Sequence, residues 1–285
     1  MNFALTKISI LVSTLFYSWT YETKPEYKLN IINQMFINAR QVKTASYTLR
    51  KIERIKGEHV EEVNDVRLNI EPFQLYFKQI KPVKGLEILY PNQQQGKKAL
   101  INPNSFPMIN LNLDPKGYLM RRNQHHTLHK SGFAYLVSIS EHLINKYPDQ
   151  IEHMINLKEA YEWNGKKCWK IELLNPHFKF IQYTVHDNEG LSDIANKFRI
   201  SEYMIIERNP GLSLYDKLNA GSVIKIPNDY AARIELLIDQ IEHLPVVIKI
   251  YDDHGLFEQY EYKNLITNLQ WDKDEFKQSC KRYNF

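Results

Sequence analysis

KIERIKGEHVEEVNDVRLNIEPFQLYFKQ, residues 51–79, is the stretch whose reading decides the fold. Val66, Leu68 and Ile70, then Phe73, Leu75 and Phe77, recur at every second position with other residues between them. Successive side chains of an extended chain point to opposite faces, so this period predicts half-buried strands. Lys56-Gly57 and Glu71-Pro72 interrupt the runs with turn chemistry. Connections this short join antiparallel neighbours.

The same alternation extends outward through Leu86, Ile88 and Tyr90 and through Ile109, Leu111 and Leu113. It returns at Trp169, Ile171 and Leu173, after a hairpin turn at Asn164-Gly165, and again in Ile234, Leu236 and Ile238. Val246–Tyr251 and Leu256–Tyr262, joined by Asp252-Asp253-His254-Gly255, predict the closing strands. Two segments keep a helical period instead. Leu29, Ile32, Phe36, Ala39 and Val42 share one face, and a second helix is expected after Ser131 as its cap, with Leu136, Val137 and Leu143 inward and Pro148 as its stop. The expected fold class is α+β, a strongly curved antiparallel β-sheet packed with helices.

Composition narrows the function. With 285 residues, 43% of them hydrophobic, the chain suits one large or two ordinary domains with real cores. Its ten glycines come no closer together than Gly211 and Gly221, so neither G-x-G-x-x-G nor G-x-x-x-x-G-K-[ST] can be written. Nucleotide enzymes of those kinds are excluded. A net charge of +4 with interleaved lysines and glutamates gives no basic stripe, and no nucleic-acid partner is expected.

Residues 1–22 read as a secretory signal: Lys7 precedes an apolar run, Ile8 to Trp19, too short to span a bilayer. A first core helix or an uncleaved anchor remains the alternative. The location expected from a signal is the periplasm or cell envelope. Cys168 and Cys280 are the only cysteines. One disulfide or two separate thiols both fit, and no C-x-x-C spacing suggests zinc or redox chemistry.

Residues 181–227 break the host pattern with strand, helix, helix, strand: Tyr183-Thr184-Val185, then Leu191, Ile194, Ala195 and Phe198, then a helix capped by Ser201, then Val223 to Ile226. The blocks Y-T-V, L-x-x-I-A, N-P-G-L and G-x-V-I-K-I-P resemble the LysM module. That resemblance implies a small β-α-α-β domain binding peptidoglycan or another N-acetylglucosamine-containing glycan. It places the contacts at Asp187, Asn188, Glu189, Gly190 and Leu191, and at Asn209, Pro210, Gly211 and Leu212. Where the family usually has Gly-Asp-Thr or Gly-Asp-Ser, this chain has Asn188-Glu189-Gly190.

The host, residues 28–180 plus 228–285, resembles the LolA/LolB-like lipoprotein carriers, incomplete barrels whose apolar cavity shelters acyl chains. It is also similar to an uncharacterised exported family of Gram-negative bacteria in which a LysM segment interrupts such a fold. Residues 51–79, AYEWNGKKCWKIEL and LPVVIKIYDDHGLFEQYEYKNL carry the likeness. It implies a lipid, a lipoprotein acyl chain or another apolar ligand as partner. The residues alone leave open whether the inward side chains line a cavity or pack as a dry core.

Catalytic chemistry finds little support. His125, His126 and His129 lack the helical spacing and glutamate of a metalloprotease and follow Arg121-Arg122, so a solvated linker is expected there. There is no G-x-S-x-G, and paired acids such as Glu61-Glu62 point to opposite faces of a strand. The expectation is a non-enzymatic binding protein without cofactor, catalytic residue or metal. A cell-wall glycan-acting enzyme and a non-binding envelope scaffold are the alternatives.

Overall fold

A computed structural model describes residues 25–92, 94 and 96–285. The expected signal segment lies outside the described residues. The chain begins with α1 (Pro25–Gln41) and a run of antiparallel strands: β1 (Thr44–Ile55), β2 (Glu58–Asn69), β3 (Gln74–Lys81), β4 (Glu87–Tyr90), β5 (Ala99–Asn102) and β6 (Leu111–Leu113). A single turn, α2 (Tyr118–Arg121), leads through a loop to α3 (Ala134–Lys146), then to α4 (Ile151–Met154) and the hairpin β7 (Ile155–Trp163) and β8 (Lys166–Leu174). The inserted unit holds β9 (Phe180–Thr184), α5 (Leu191–Phe198), α6 (Glu202–Arg208) and β10 (Val223–Pro227). The host closes with β11 (Arg233–Asp239), β12 (Pro245–Asp252) and β13 (Gly255–Thr267).

Among the described residues, eleven strands form one open sheet in the order β6-β5-β4-β3-β2-β1-β13-β12-β11-β8-β7, and β9 and β10 pair separately. Every neighbouring pair is antiparallel. The insertion costs the host no strand pairing, because β8 before it and β11 after it are hydrogen-bonded neighbours, with Leu174 opposite Arg233. The excursion therefore leaves and re-enters at one point of the sheet.

Inside the curve, Ile32, Met35 and Phe36 of α1 and Leu136 and Leu143 of α3 share one buried cluster with strand residues such as Ile171, Ile234 and Ile248. On the other face, Tyr76, Leu89 and Leu100 are covered by Phe276, Cys280 and Tyr283 from the C-terminal segment, where Tyr76 and Tyr283 stack with ring centres 3.7 Å apart. Both cysteines are buried and unpaired, as the two-thiol alternative requires. The second helix starts later than expected. Ser131 closes a 3₁₀ turn by donating its N–H to Leu128, and Gly132, at φ 87°, redirects the chain before α3 begins behind Phe133. A Cβ at Gly132 would stand 2.9 Å from Leu68, so glycine supplies both the backbone angle and the space.

Candidate ligand-binding site

Strands β1 to β6 and β13, with the segment from Leu119 to Gly132, line a partly open cavity of about 300 Å³ beside the helix-packed core. Its wall follows directly from strand register. Tyr47, Val66, Phe77, Ile88 and Ile101 are successive partners across β1 to β5 and make one row. Two residues along, Tyr262, Leu49, Asn64 and Gln79 make the next. Tyr260, Lys51 and Glu62 follow, and then Glu258 opposite Glu53. Because same-face residues repeat every second position, the cavity runs from apolar, through neutral polar, to charged within three steps along β1. The apolar row, Tyr47, Val66, Ile88 and Ile101, borders the space and also belongs to the one buried cluster that includes the helix-packed residues.

The charged end is closed on itself. Lys51 Nζ lies 3.2 Å from Glu53 Oε2 and 3.2 Å from Glu62 Oε2, and it also donates to Gln124. Gln124 in turn donates to Glu62 at 2.6 Å. Tyr260 OH donates to Glu53 at 2.6 Å and Tyr230 OH to Glu258 at 2.9 Å. Glu258, fully buried, also faces His125 Nδ1 at 2.9 Å and His126 Nε2 at 3.1 Å. His125 Nε2 meets the Arg54 carbonyl at 2.9 Å. Both nitrogens of His125 thus face acceptors, which only the doubly protonated ring satisfies. Burial opposes that charge, but Glu53 and Glu258 outweigh it and raise the His125 pKa. Burial likewise opposes the Glu258 charge, and His126 and His125 hold its pKa well below the ordinary carboxylate range.

This overturns the solvated-linker expectation for His125 and His126, while His129 is exposed as expected. His125 is 2% exposed, its ring stacked on Phe257 at 4.1 Å; His126 lines the cavity; His129 reaches Tyr90 OH at 3.0 Å. The acids that draw the first two inward sit on β1 and β13, more than 70 and more than 130 positions away. Glu53, His126 and Glu258 also place ligand atoms within 4.8 Å of one another, a set able to hold a metal ion. The same carboxylate oxygens already accept from tyrosine, histidine and lysine donors, so the charge is balanced by protons and an ammonium group.

Of the residues around the cavity, Asn64 is 5% exposed and its Oδ1 is buried without a hydrogen-bond partner among the described residues. A buried unpaired polar group costs about 1–3 kcal/mol.

In the inserted module, Asp187 and Asn188 are exposed, Asn188 at φ 59°. The Glu189 carboxylate is engaged locally, accepting from Tyr183 OH at 2.7 Å and the His186 N–H at 3.0 Å and pairing with Lys197. The Tyr183 hydrogen bond leads in lowering its pKa to about 2. Gly190 donates its N–H to Asp193 at the start of α5, and Leu191 is buried in the module core. Asn209 spends its amide on Lys225 and Ile205, bracing α6 against β10. Asn209, Pro210, Gly211 and Leu212 border an open depression of about 550 Å³ floored by β9 and β10 residues, whose lining includes none of residues 187–191.

A family model described as Protein of unknown function (DUF1571) matches residues 42–203, more than half of the chain. The chain belongs to the DUF1571 family. The DUF1571 match spans every cavity-lining strand except β13, and a LysM domain model matches residues 183–227. No curated protein sequence matches. Among solved structures, LprF from Mycobacterium bovis is similar at 11% identity and TM-score 0.43, over 86% of this chain and 95% of that one. Lipoprotein LppX from Mycobacterium tuberculosis is similar at 13% identity and TM-score 0.39, over 87% and 99%. Pseudomonas aeruginosa MucB, in its complex with MucA, is similar at 11% identity and TM-score 0.40, over 88% of this chain; the present chain spans 60% of that structure's length. Among the described residues, no helix is long and apolar enough to cross a membrane.

Proposed function

We propose that this DUF1571 protein is an exported, non-enzymatic binding protein of the cell envelope. Its curved sheet reversibly buries an apolar or amphiphilic ligand, such as a lipid or a lipoprotein acyl chain, and its LysM module holds it at peptidoglycan. The observation that carries the reading is the graded cavity. Its volume falls at the lower end of the 300–1,000 Å³ typical of ligand pockets. Each buried methylene is worth about 0.8 kcal/mol, so two more methylenes tighten binding roughly 15-fold until the apolar rows are full.

The test is mass spectrometry of lipids retained through a gentle purification, followed by displacement of a bound fluorescent probe with alkyl chains of increasing length. Specific retention with a length-dependent affinity supports the reading; failure of every chain to displace the probe removes it. The glycan half is tested on purified peptidoglycan. Retention lost when residues 181–227 are deleted supports it, equal retention of both forms refutes it, and release of muropeptides replaces the binding role with an enzymatic one.

A further inference from the structure

We infer that the loops joining β3 to β4 and β5 to β6 dock the protein on an anionic lipid bilayer, with the cavity rim against the membrane. The inference rests on the cavity reading above and adds the place where the ligand is exchanged. The β5–β6 loop, residues 103–110, carries Phe106, Met108 and Ile109, which are 94%, 65% and 58% exposed. Beside it, Ile80 at the end of β3 and Val83 on the β3–β4 loop are exposed too. The loops touch, for Asn104 Nδ2 donates to the Lys84 carbonyl at 2.9 Å. Single exposed apolar residues are ordinary, but five on two adjoining loops mark an interaction surface.

The patch belongs to the cavity rim. Gln79 and Leu86, which bracket the β3–β4 loop, line the cavity, and the Val83 N–H donates to Gln79 Oε1 at 3.2 Å. Leu111 lies opposite Ile101 and carries the apolar row to the sheet edge, where it is exposed. Each methylene that must cross water makes escape from the cavity roughly fourfold less favourable, so exchange favours a rim that meets the bilayer directly.

Charge selects the kind of surface. Lys81 and Lys84 stand exposed on the β3–β4 connection. The one acid in residues 80–113, Glu87, is fully buried and paired with Lys78 at 2.9 Å. Glu61, close enough to feel the Lys81 charge, is paired with Arg50 at 2.7 Å. An apolar tip flanked by lysines matches the interface of a bilayer with anionic headgroups. The backbone of the tip suits that depth as well. Pro103 and Pro107 have no N–H, the Asn104 N–H donates to Asn102 Oδ1 at 2.9 Å, and the Met108 N–H donates to the Ser105 carbonyl at 2.7 Å. These four positions bring no unpaired donor to a medium that cannot satisfy one.

The experiment attaches the environment-sensitive fluorophore NBD to Ser105→Cys in the full chain and adds vesicles of phosphatidylethanolamine and phosphatidylglycerol. The native thiols are buried, so the label is specific. Glu159→Cys on β7, the opposite edge of the sheet, carries the control label. Emission should rise and shift to the blue at position 105 and stay unchanged at 159. Replacing phosphatidylglycerol by phosphatidylcholine, or Lys81→Gln with Lys84→Gln, should weaken the apparent affinity about 10-fold or more. Phe106→Ser with Met108→Ser should slow transfer of a labelled lipid between vesicles by about 10-fold or more, yet leave displacement of a soluble probe from the cavity, measured without vesicles, unchanged. No change at position 105, equal changes at both labels, or a change with protein concentration alone, which marks contact between copies, each overturns the inference. If the vesicle-free displacement still succeeds, the cavity reading stands without it. Failure of that displacement removes the cavity reading and the exchange role together.

Discussion

Arg54 of β1 reaches out of the sheet to Glu207 on α6, with Nη2 2.8 Å from Oε2, while its Nη1 lies 3.0 Å from Asp252 on β12. One guanidinium thus ties the inserted module to two strands of its host. Arg121 pairs with Glu202 beside it, and Tyr203 OH donates to the Arg121 carbonyl at 3.1 Å. The module is fastened along α6, whose last residue, Arg208, pairs with Asp253 of the host and also borders the depression beside Pro210 and Gly211. Arg54→Met should destabilise by about 3 kcal/mol, because it strands Glu207 and leaves Asp252 only Arg208, at 3.9 Å, as a cationic partner. Denaturant unfolding reads the loss, and limited proteolysis should show cleavage within residues 181–227 before cleavage of the host. A loss below about 1 kcal/mol, the range of surface pairs, would refute this fastening.

The cluster at the charged end of the cavity makes stability depend on pH in both directions. His125 has a raised pKa in the folded protein, so its contribution is fully present below its ordinary value of 6.5 and is lost as pH rises through the raised one. Glu258 has a lowered pKa, so its contribution is present above its ordinary 4.5 and is lost as pH falls towards the lowered one. Stability should therefore peak between these limits. Urea unfolding from about pH 5 to about pH 9 checks it: the alkaline decline should be present in the wild type and flattened in His125→Asn. Parallel curves for the two proteins would rule out His125 as its source.

Three positions of the apolar cavity row are legible in the sequence, since Val66, Phe77 and Ile88 follow from period two and short turns alone. The charged end is not. Glu53 and Glu258 oppose each other only because β1 pairs with β13, and periodicity gives a strand's faces without its partners. A signal is nonetheless present: Glu258, Tyr260 and Tyr262 alternate on one face of a strand, and a carboxylate in an inward run needs a buried donor. The neighbouring histidines are such donors. For the module, the sequence blocks carry the fold, but that Glu189 and Asn209 spend their side chains on Tyr183, His186 and Lys225 follows only from the packing.

Gly190 occupies the cap position of α5 with an extended backbone, φ −93° and ψ 170°, which any residue adopts. A Cβ there would meet Asp193 Oδ2 at 3.3 Å, a contact that a small rotation of the side chain relieves. Gly190→Ser adds a capping hydroxyl and should raise module stability by a few tenths of a kcal/mol. It also returns the hydroxyl that this copy lacks. Peptidoglycan retention should rise in the variant; a fall would show that the loop binds through its present shape.

Cys168 and Cys280 should be silent in the native protein. Both are buried, and burial leads in pushing the Cys168 thiol up to about 11, so little thiolate exists at neutral pH. Ellman's reagent should release no thiolate chromophore until denaturant is added, and then two equivalents. Reaction of either thiol in the native protein would mean that its cover opens, for Cys280 the lifting of the C-terminal segment from Tyr76 and Leu89.

The concave face offers its own control for the cavity. Ile88 lines the space, flanked by Phe77 and Ile101 in its row, whereas Ile171 is fully buried in the helix-packed core. Adding bulk to a packed position forces neighbours off their rotamers at about 1–3 kcal/mol. Adding it beside an empty space gains contact instead. Ile88→Phe should therefore change stability by less than about 1 kcal/mol, and Ile171→Phe should cost the full overpacking penalty. The functional signs are opposite: Ile88→Phe occupies ligand space and should weaken the longest alkyl chains at least 10-fold, while Ile171→Phe should leave the affinity of its folded fraction unchanged. Equal destabilisation by both would mean that the apolar rows close on themselves, and no tail could then be buried there.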